Sequence, residues 1–458
     1  MLPEEFLSRM KDMLGSDYPG FRKSLDDEPF HGLRFNPNKG SLETFLSRAP
    51  FELKPVPWEK NGFYYDGSDT PGKHPYHSAG VYYIQEPSAM APVVYLDPKP
   101  GETILDLCAA PGGKSTQIAS AMANQGLLIS NEIHPARARI LSENIERMGV
   151  KNCLVTNESP DRLSSIFSDY FDRILVDAPC SGEGMFRKNP DACGEWSPDN
   201  VALCSDRQLE ILSCAATMLK PGGRMVYSTC TFAPEENEGT IHRFLEEHPQ
   251  FSIIEASPFP GMAKGNPDWI HAERMELCHS IRLFPHLLSG EGHFLCVLEK
   301  EGGPASNVRG FCAGGTEPAI SSKDCREYLE FAGEYLKNQP EGKLIRFGEQ
   351  LYLAPDRLPR LKGMKVLRPG LHLGTIKKNR FEPSHALANA LSEDEVALSC
   401  NLSSQSSEIN AYLNGQTFSC EGEKGWYLIT VDHYSTGWGK LTGSTMKNHY
   451  PKGLRINY

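Results

Sequence analysis

Asp106-Leu-Cys-Ala-Ala-Pro-Gly-Gly-Lys114 follows a short apolar run, Thr103-Ile-Leu-Asp-Leu107, and precedes Ser115-Thr-Gln-Ile-Ala-Ser-Ala-Met-Ala123. A strand, a small-residue turn and a helix start in that order make a βα unit that cradles a ligand at the helix N-terminus. Pro111 suits a turn or a first helical turn, and paired Gly112 and Gly113 let backbone approach a ligand closely. The whole turn, Cys108, Ala109, Ala110, Pro111, Gly112, Gly113 and Lys114, is the first candidate cofactor contact.

Outward from it, strand and helix signals alternate over residues 81–300. Val81–Ile84 reads as a strand before a helix opening at Gln85–Met90. Gly126–Ser130 is the strand after the turn, ending at Asn131-Glu132, and Pro135–Met148 is a helix stopped by Gly149. Asn152–Thr156, Phe171–Val176 and Gly223–Ser228 are further strands. Ser197-Pro-Asp caps a long helix reaching Leu219, and 235–247 is helical. Ile281–Phe284 and His293–Leu298 form a closing pair that predicts an antiparallel edge. This alternation predicts an α/β fold with a mostly parallel, doubly wound sheet, whose ligands bind beyond the carboxyl ends of the strands. Residues 108–114, Glu132, Asp177–Cys180 and Thr229–Thr231 converge there from distant sequence.

The rest of the chain divides around this core. Residues 1–80 form a first unit, with a helix over Leu2–Leu14, a strand at Leu33–Pro37 and a helix start at Ser41. Gly62–Gly80 reads as loop, whose aromatics and Lys73 could touch nucleic acid. After a linker at 301–310, a module over 310–384 contains Lys343–Arg380, where ten basic residues face two acids, Glu349 and Asp356. Phe347, Tyr352 and Phe381 lie within or beside it, and basic charge interleaved with aromatics is the footprint of a nucleic-acid surface. Residues 385–458 read as a small β-rich unit.

Composition sets the frame. The 458 residues carry a net charge of −11 and 39% hydrophobic residues, so only a local basic surface could hold nucleic acid. No apolar run reaches the ~18 residues of a membrane span, and no basic-then-apolar leader opens the chain, so a cytoplasmic protein is expected. The 13 cysteines lack zinc-site spacing and an export context, so neither metal nor disulfides are expected.

The turn discriminates among cofactors. Glu132 lies where an acid accepts hydrogen bonds from ribose hydroxyls, which suits NAD and S-adenosylmethionine (AdoMet) alike. Cys-Ala-Ala-Pro-Gly-Gly-Lys lacks the Gly-x-Gly-x-x-Gly pyrophosphate fingerprint, which favours a nucleoside cofactor without a diphosphate. Asp177-Ala-Pro-Cys180 and Thr229-Cys230-Thr231 then put thiols at two strand ends. Carbon 5 of a pyrimidine is a poor nucleophile until a thiolate adds at carbon 6, and that adduct can attack a sulfonium methyl. Asp177 is placed to stabilise charge at ring N3, and a base must remove the carbon 5 proton before the thiol leaves. On this chemistry alone Cys180 and Cys230 are equal candidates for the nucleophile. An NAD-linked oxidoreductase is disfavoured by the turn, and a non-catalytic RNA-binding protein by the intact Asp177, Cys180 and Cys230.

Residues 106–114, Asp-Ala-Pro-Cys-Ser-Gly-Glu-Gly at 177–184 and Ser-Thr-Cys-Thr at 228–231 together resemble the Sun/Fmu-type RNA (cytosine-5) methyltransferases. Leu33-Arg-Phe-Asn36, Arg187-Lys-Asn-Pro190 and Trp196-Ser-Pro198 extend the likeness. Gly437-Trp-Gly-Lys440 and Lys447–Arg455 resemble the tail of the RsmF branch, which acts on bacterial 16S rRNA. The resemblance implies a seven-stranded Rossmann-like class I core flanked by an N-terminal α+β unit, a basic α+β module and a PUA-like β-rich end, all three RNA-binding. It implies AdoMet as cofactor, a flipped cytosine near the decoding centre as target, and 16S rRNA, free or in the 30S subunit, as partner of a monomeric enzyme. It makes Cys230 the nucleophile and Cys180 the aid to product release; related DNA enzymes use the Pro-Cys position, so the swapped assignment stays open. It makes 108–114, Glu132 and Asp177 the AdoMet contacts, with Lys114 also near the target nucleotide. One departure stands at Thr156-Asn-Glu-Ser-Pro160, where Ser159 occupies the place of the acid expected near the adenine.

Overall fold

The computed structural model describes residues 2–189 and 191–455; Pro190 of the Arg187–Pro190 motif lies outside the described residues. Its centre is a ten-stranded sheet. Five parallel strands run side by side in the order Cys153–Thr156, Leu127–Asn131, Thr103–Asp106, Phe171–Asp177 and Leu219–Thr229. Order reverses beside Thr103–Asp106, which puts the switch point at its carboxyl end, where the quoted turn begins. These strands are buried on both faces, which is why they read as nearly unbroken apolar runs.

His293–Lys300 runs antiparallel to Leu219–Thr229, and Ile281–Leu283 runs antiparallel to His293–Lys300. The closing pair thus forms the expected antiparallel end of the sheet, with the reversed strand between two strands it opposes, and the seven expected strands are all present. Three more extend them: Ala263–Lys264, Phe251–Ile253 and Val366–Pro369. The last belongs to the basic C-terminal segment and pairs with Cys153–Thr156, so that segment is built into the core sheet.

The long helix Pro198–Met218 starts where the cap residues place it, with the Ser197 hydroxyl accepting from the Asn200 amide at 3.1 Å. The 235–247 stretch is not one α-helix: a π-helical turn, Glu235–Gly239, precedes the α-helix Thr240–Glu247. The wider turn aims Glu236, Asn237 and Glu238 inward together, and all three are fully buried.

The N-terminal unit holds a four-stranded sheet ordered Lys54–Val56, Glu59–Tyr65, His31–Phe35, Tyr82–Ile84. Tyr82–Ile84, counted with the core in the sequence, thus closes the N-terminal sheet. The 62–80 stretch is not a free loop either: it holds the end of a strand and the helix Pro75–Ser78. Tyr76 is buried, and its hydroxyl donates to Asp432 at 2.8 Å, so this aromatic packs on the C-terminal unit instead of facing solvent. Leu33, Phe35 and Phe45 share one apolar core with Ile409, Tyr412 and Tyr434, joining the two ends of the chain.

The basic segment is less bare than its sequence suggests. Acids from elsewhere meet it: Arg368 pairs with Glu146, Arg360 with Glu317 at 3.6 Å and Arg380 with Glu382 at 2.8 Å. Phe381 is buried against Tyr328 and Phe331, while Phe347 stays exposed. Arg357, Lys362, Lys365 and Lys378 have no ion-pair partner among the described residues. No described helix is long and apolar enough to cross a membrane.

Candidate active site

The carboxyl ends of the parallel strands carry the candidate residues. Backbone stitches fix the first turn: Leu107 N–H donates to Leu175 O at 3.0 Å and Ala109 N–H to Asn131 O at 2.8 Å. Gly112 has φ of +115°, a conformation that side chains rarely adopt. The helix behind secures the turn from outside, through Arg137 to Ala110 O at 2.8 Å and Asn144 to Pro111 O at 2.9 Å. From inside, buried Arg34 of the Leu33-Arg-Phe-Asn36 motif donates to Gly113 O at 3.1 Å and to Thr116 Oγ1 at 2.8 Å. The helix Gly113–Ala121 starts at the end of this turn.

Three carboxylates gather here. Asp106 accepts from Ser115 Oγ at 2.6 Å, its other oxygen is buried without a partner, and burial pushes it up to about 7. Glu132 is buried, accepts from His134 N–H at 2.9 Å and lies 3.6 Å from Arg137. Asp177 accepts from Lys114 Nζ at 2.8 Å and from Ser228 Oγ at 2.8 Å. Burial opposes its charge, but Lys114, His293 and the two hydrogen bonds outweigh burial and hold it below the usual carboxylate range. Carboxylates outnumber the one lysine, and such a cleft suits a positively charged ligand.

The two thiols meet. Cys180 Sγ and Cys230 Sγ stand 3.2 Å apart, and the Cys230 amide points at Cys180 Sγ at 3.4 Å. The contact with Cys230, and then burial, raise Cys180 well above the ordinary thiol value, so Cys180 remains a neutral S–H. Cys108 is also pushed up by burial, which fits a wall residue and not a nucleophile.

A brace that sequence reading missed positions both thiol loops. Glu236 accepts from Ser181 N–H at 3.0 Å and from Gln208 Nε2 at 2.8 Å. Asn237 spans the other loop, accepting from Thr229 Oγ1 at 2.6 Å and donating to Thr231 O at 3.0 Å. Glu238 pairs with Arg282, whose Nη1 donates to Phe232 O at 2.9 Å. Glu183 receives Arg9 Nη2 at 2.5 Å, Trp196 Nε1 at 2.8 Å and the Phe232 amide at 3.2 Å, tying the N-terminal helix to the Cys180 loop. The signal was present in the run Glu235-Glu-Asn-Glu238, but only the π-turn directs all three inner side chains to one side.

At the end of the third strand, Asn157 Nδ2 donates to Glu132 O at 2.7 Å and Ile133 O at 2.8 Å. Glu158 Oε1 accepts from the Lys365 amide at 2.6 Å. Ser159 is half-buried at the N-cap of the helix Pro160–Ser164. Among the described residues no cluster of three or more metal-ligating side chains occurs.

The family model for the 16S rRNA methyltransferase RsmB/F matches residues 93–299, and that for the N-terminal domain of 16S rRNA methyltransferase RsmF matches 2–87. Models for the RsmF first C-terminal domain and the RsmF PUA domain match 330–391 and 401–456. Ribosomal RNA small subunit methyltransferase F of Citrobacter koseri is 31% identical over 99% of this chain and 96% of that protein. The Aliivibrio fischeri protein of the same name is also 31% identical, over 99% of this chain and 97% of its own. The chain belongs to the RsmF family of rRNA methyltransferases. Among solved structures, a methyltransferase homologue from Pyrococcus horikoshii is 31% identical with a TM-score of 0.58, covering 65% of this chain and 95% of that one. NSun6 from the same organism, solved with SFG, gives 23% and 0.55 over 66% and 99%, a likeness of fold. The fold is thus a Sun-family methyltransferase core with an RsmF N-terminal domain and a C-terminal PUA domain, and the protein is an rRNA methyltransferase.

Proposed function

We propose that this RsmF-family enzyme methylates carbon 5 of cytosine in 16S rRNA near the decoding centre, through a covalent adduct at carbon 6. The observation that carries this reading is the pair of thiols, 3.2 Å apart, beside an ionised Asp177 held by Lys114. Methylating an exocyclic amine or a hydroxyl needs no thiol, whereas carbon 5 needs a nucleophile that adds and leaves.

Cys230 is the nucleophile. Cys180, an S–H 3.2 Å away, meets the Cys230 sulfur again when the product departs. The likeness of the Thr229-Cys230-Thr231 and Pro179-Cys180 turns to those of the family favours this order over the reverse. Asp177 carries its negative charge to the pyrimidine edge, stabilising the protonated N3 of the adduct, and Lys114 orients Asp177 beside the nucleotide.

S-adenosylmethionine is the methyl donor. Its sulfonium suits the acid-rich cleft; Glu132 receives the ribose hydroxyls, and Cys108, Ala109, Ala110, Pro111, Gly112, Gly113 and Lys114 wall the pocket with Asp177. Ser159, in the place of the expected acid, meets the adenine. The methyltransferase core works with RNA-holding units at the N-terminal end and in the two C-terminal modules, as a cytoplasmic monomer on free rRNA or the 30S subunit.

Incubation with methyl-tritiated AdoMet and either 30S subunits or free 16S rRNA tests the reading. Label on carbon 5 of a cytosine is expected; label on no RNA, or only at other atoms, refutes it.

A further inference from the structure

The reaction needs a base for the carbon 5 proton, and none of the residues above is assigned to it. His293 opens the reversed strand His293–Lys300. The last rung between that strand and its neighbour pairs Thr229 with Phe294, so the next step of the register sets His293 opposite Cys230. Alternation puts His293 on the face of Leu295 and Val297, which share a core with Ile118 and Ala119 of the helix that carries Lys114. Leu175 and Val226, on that same face, lead by the same alternation to Asp177 and to Ser228.

The surrounding backbone is closely packed. The Gly184 amide donates to Cys230 O at 2.9 Å, and a Cβ on Gly184 would come within 2.4 Å of Gly292 O. The Cys180 loop, the Cys230 loop and the residue before His293 therefore touch one another. His293 is 5% exposed, its Nδ1 is buried without a well-formed hydrogen bond, and the neighbouring Gly292 backbone favours a proton on the ring. Buried polar atoms of a native fold ordinarily have a full partner, so this ring is under-satisfied beside the two thiol loops.

We propose that His293 is a further catalytic residue, whose imidazole takes the carbon 5 proton from the methylated cytosine adduct. The inference rests on the cytosine-5 reading above. In the step, the C5–H bond breaks and its proton passes to a ring nitrogen of His293. The electron pair forms the C5=C6 double bond, the C6–Sγ bond breaks, and Cys230 leaves as a thiolate that Cys180 meets with its S–H. Burial first, and then Lys114, hold His293 near 4, so it enters the step neutral and able to accept. Glu86 and Asp177 favour the imidazolium that results, and Lys114 opposes it. A carbon 5 proton beside the ring iminium of the adduct is acidic, which makes a weak base sufficient.

The test uses the whole enzyme with 16S rRNA tritiated at cytosine carbon 5 and AdoMet methylated with carbon-14. In the wild type, tritium release keeps pace with methyl transfer. In His293→Phe, first-turnover methyl transfer is expected to continue while tritium release slows by about 100-fold, the loss typical of a missing general base. A denaturant-stable, methylated RNA adduct through Cys230 then accumulates. His293→Gln, polar but unable to hold the proton, should behave the same way and guards against a packing defect in the first variant. Tritium release that stays in step with methyl transfer in either folded, AdoMet-binding variant overturns the proposal. Wild-type enzyme that methylates RNA without releasing any tritium from carbon 5 instead overturns the cytosine-5 reading itself.

Discussion

Replacing Lys114 by methionine removes the cation that keeps Asp177 charged. The pair is 2.8 Å long, with side chains 12% and 29% exposed, so solvent screens it only in part. With Lys114 gone, burial, already the largest single influence on Asp177, is opposed only by His293 and the Ser228 hydroxyl. Removing one preorganised electrostatic partner from a reacting centre typically costs ~10²–10³ in rate. The residual exposure and the remaining Ser228 bond argue for the lower end, a fall of about 100-fold in methyl transfer. The sign of the pH effect follows as well. In the wild type a depressed Asp177 keeps its charge well into acid; in Lys114→Met its pKa rises, so the acidic limb of the single-turnover pH–rate profile moves to higher pH. Asp177→Asn should lose activity without that limb, and the double variant should be little worse than either single one. An acidic limb unmoved in a folded Lys114→Met enzyme would show that the pair does not set the charge of Asp177.

Further outcomes follow from the same geometry. Cys230→Ala should abolish turnover without trapping RNA, while Cys180→Ala should accumulate a covalent RNA adduct on denaturing gels; an adduct with Cys230→Ala alone reverses the roles. Glu132→Ala should weaken AdoMet binding about 10- to 100-fold by calorimetry, from lost hydrogen bonds to a charged acceptor of ~1.5–3 kcal/mol. Glu238→Ala leaves Arg282 buried and unpaired, and should cost ~3–5 kcal/mol in urea unfolding of the core. Folded Glu236 holds its proton to about 7, against 4.5 when unfolded, so the native state binds more protons between those values and stability falls as pH rises from about 5 to 7. Glu236→Gln should flatten that fall in thermal melts.

Much of this enzyme was legible before any coordinates. The quoted turn and the strand runs around it declared a parallel α/β core with its ligand turn at the strand ends, because buried parallel strands and ligand turns write themselves in local composition. Local pattern also placed Ser197 as a helix cap. What it misread depended on partners far along the chain. The charge of Lys343–Arg380 looked uncompensated because Glu146 and Glu317 lie outside that window. Tyr76 looked free because Asp432 sits 356 residues away.

The sequence by itself determined which groups are available: a glycine-rich turn without a pyrophosphate fingerprint, an acid at the end of the next strand, and two thiols in tight turns. Only the tertiary structure decided their states. It brought the thiols to 3.2 Å, so that one must stay protonated; it set Lys114 on Asp177, so that the acid stays charged. It also carried His293 to the end of the Cys230 strand and left its Nδ1 without a well-formed hydrogen bond. Charge and proton position depend on distance and on water excluded by distant segments, and neither is written in the order of residues.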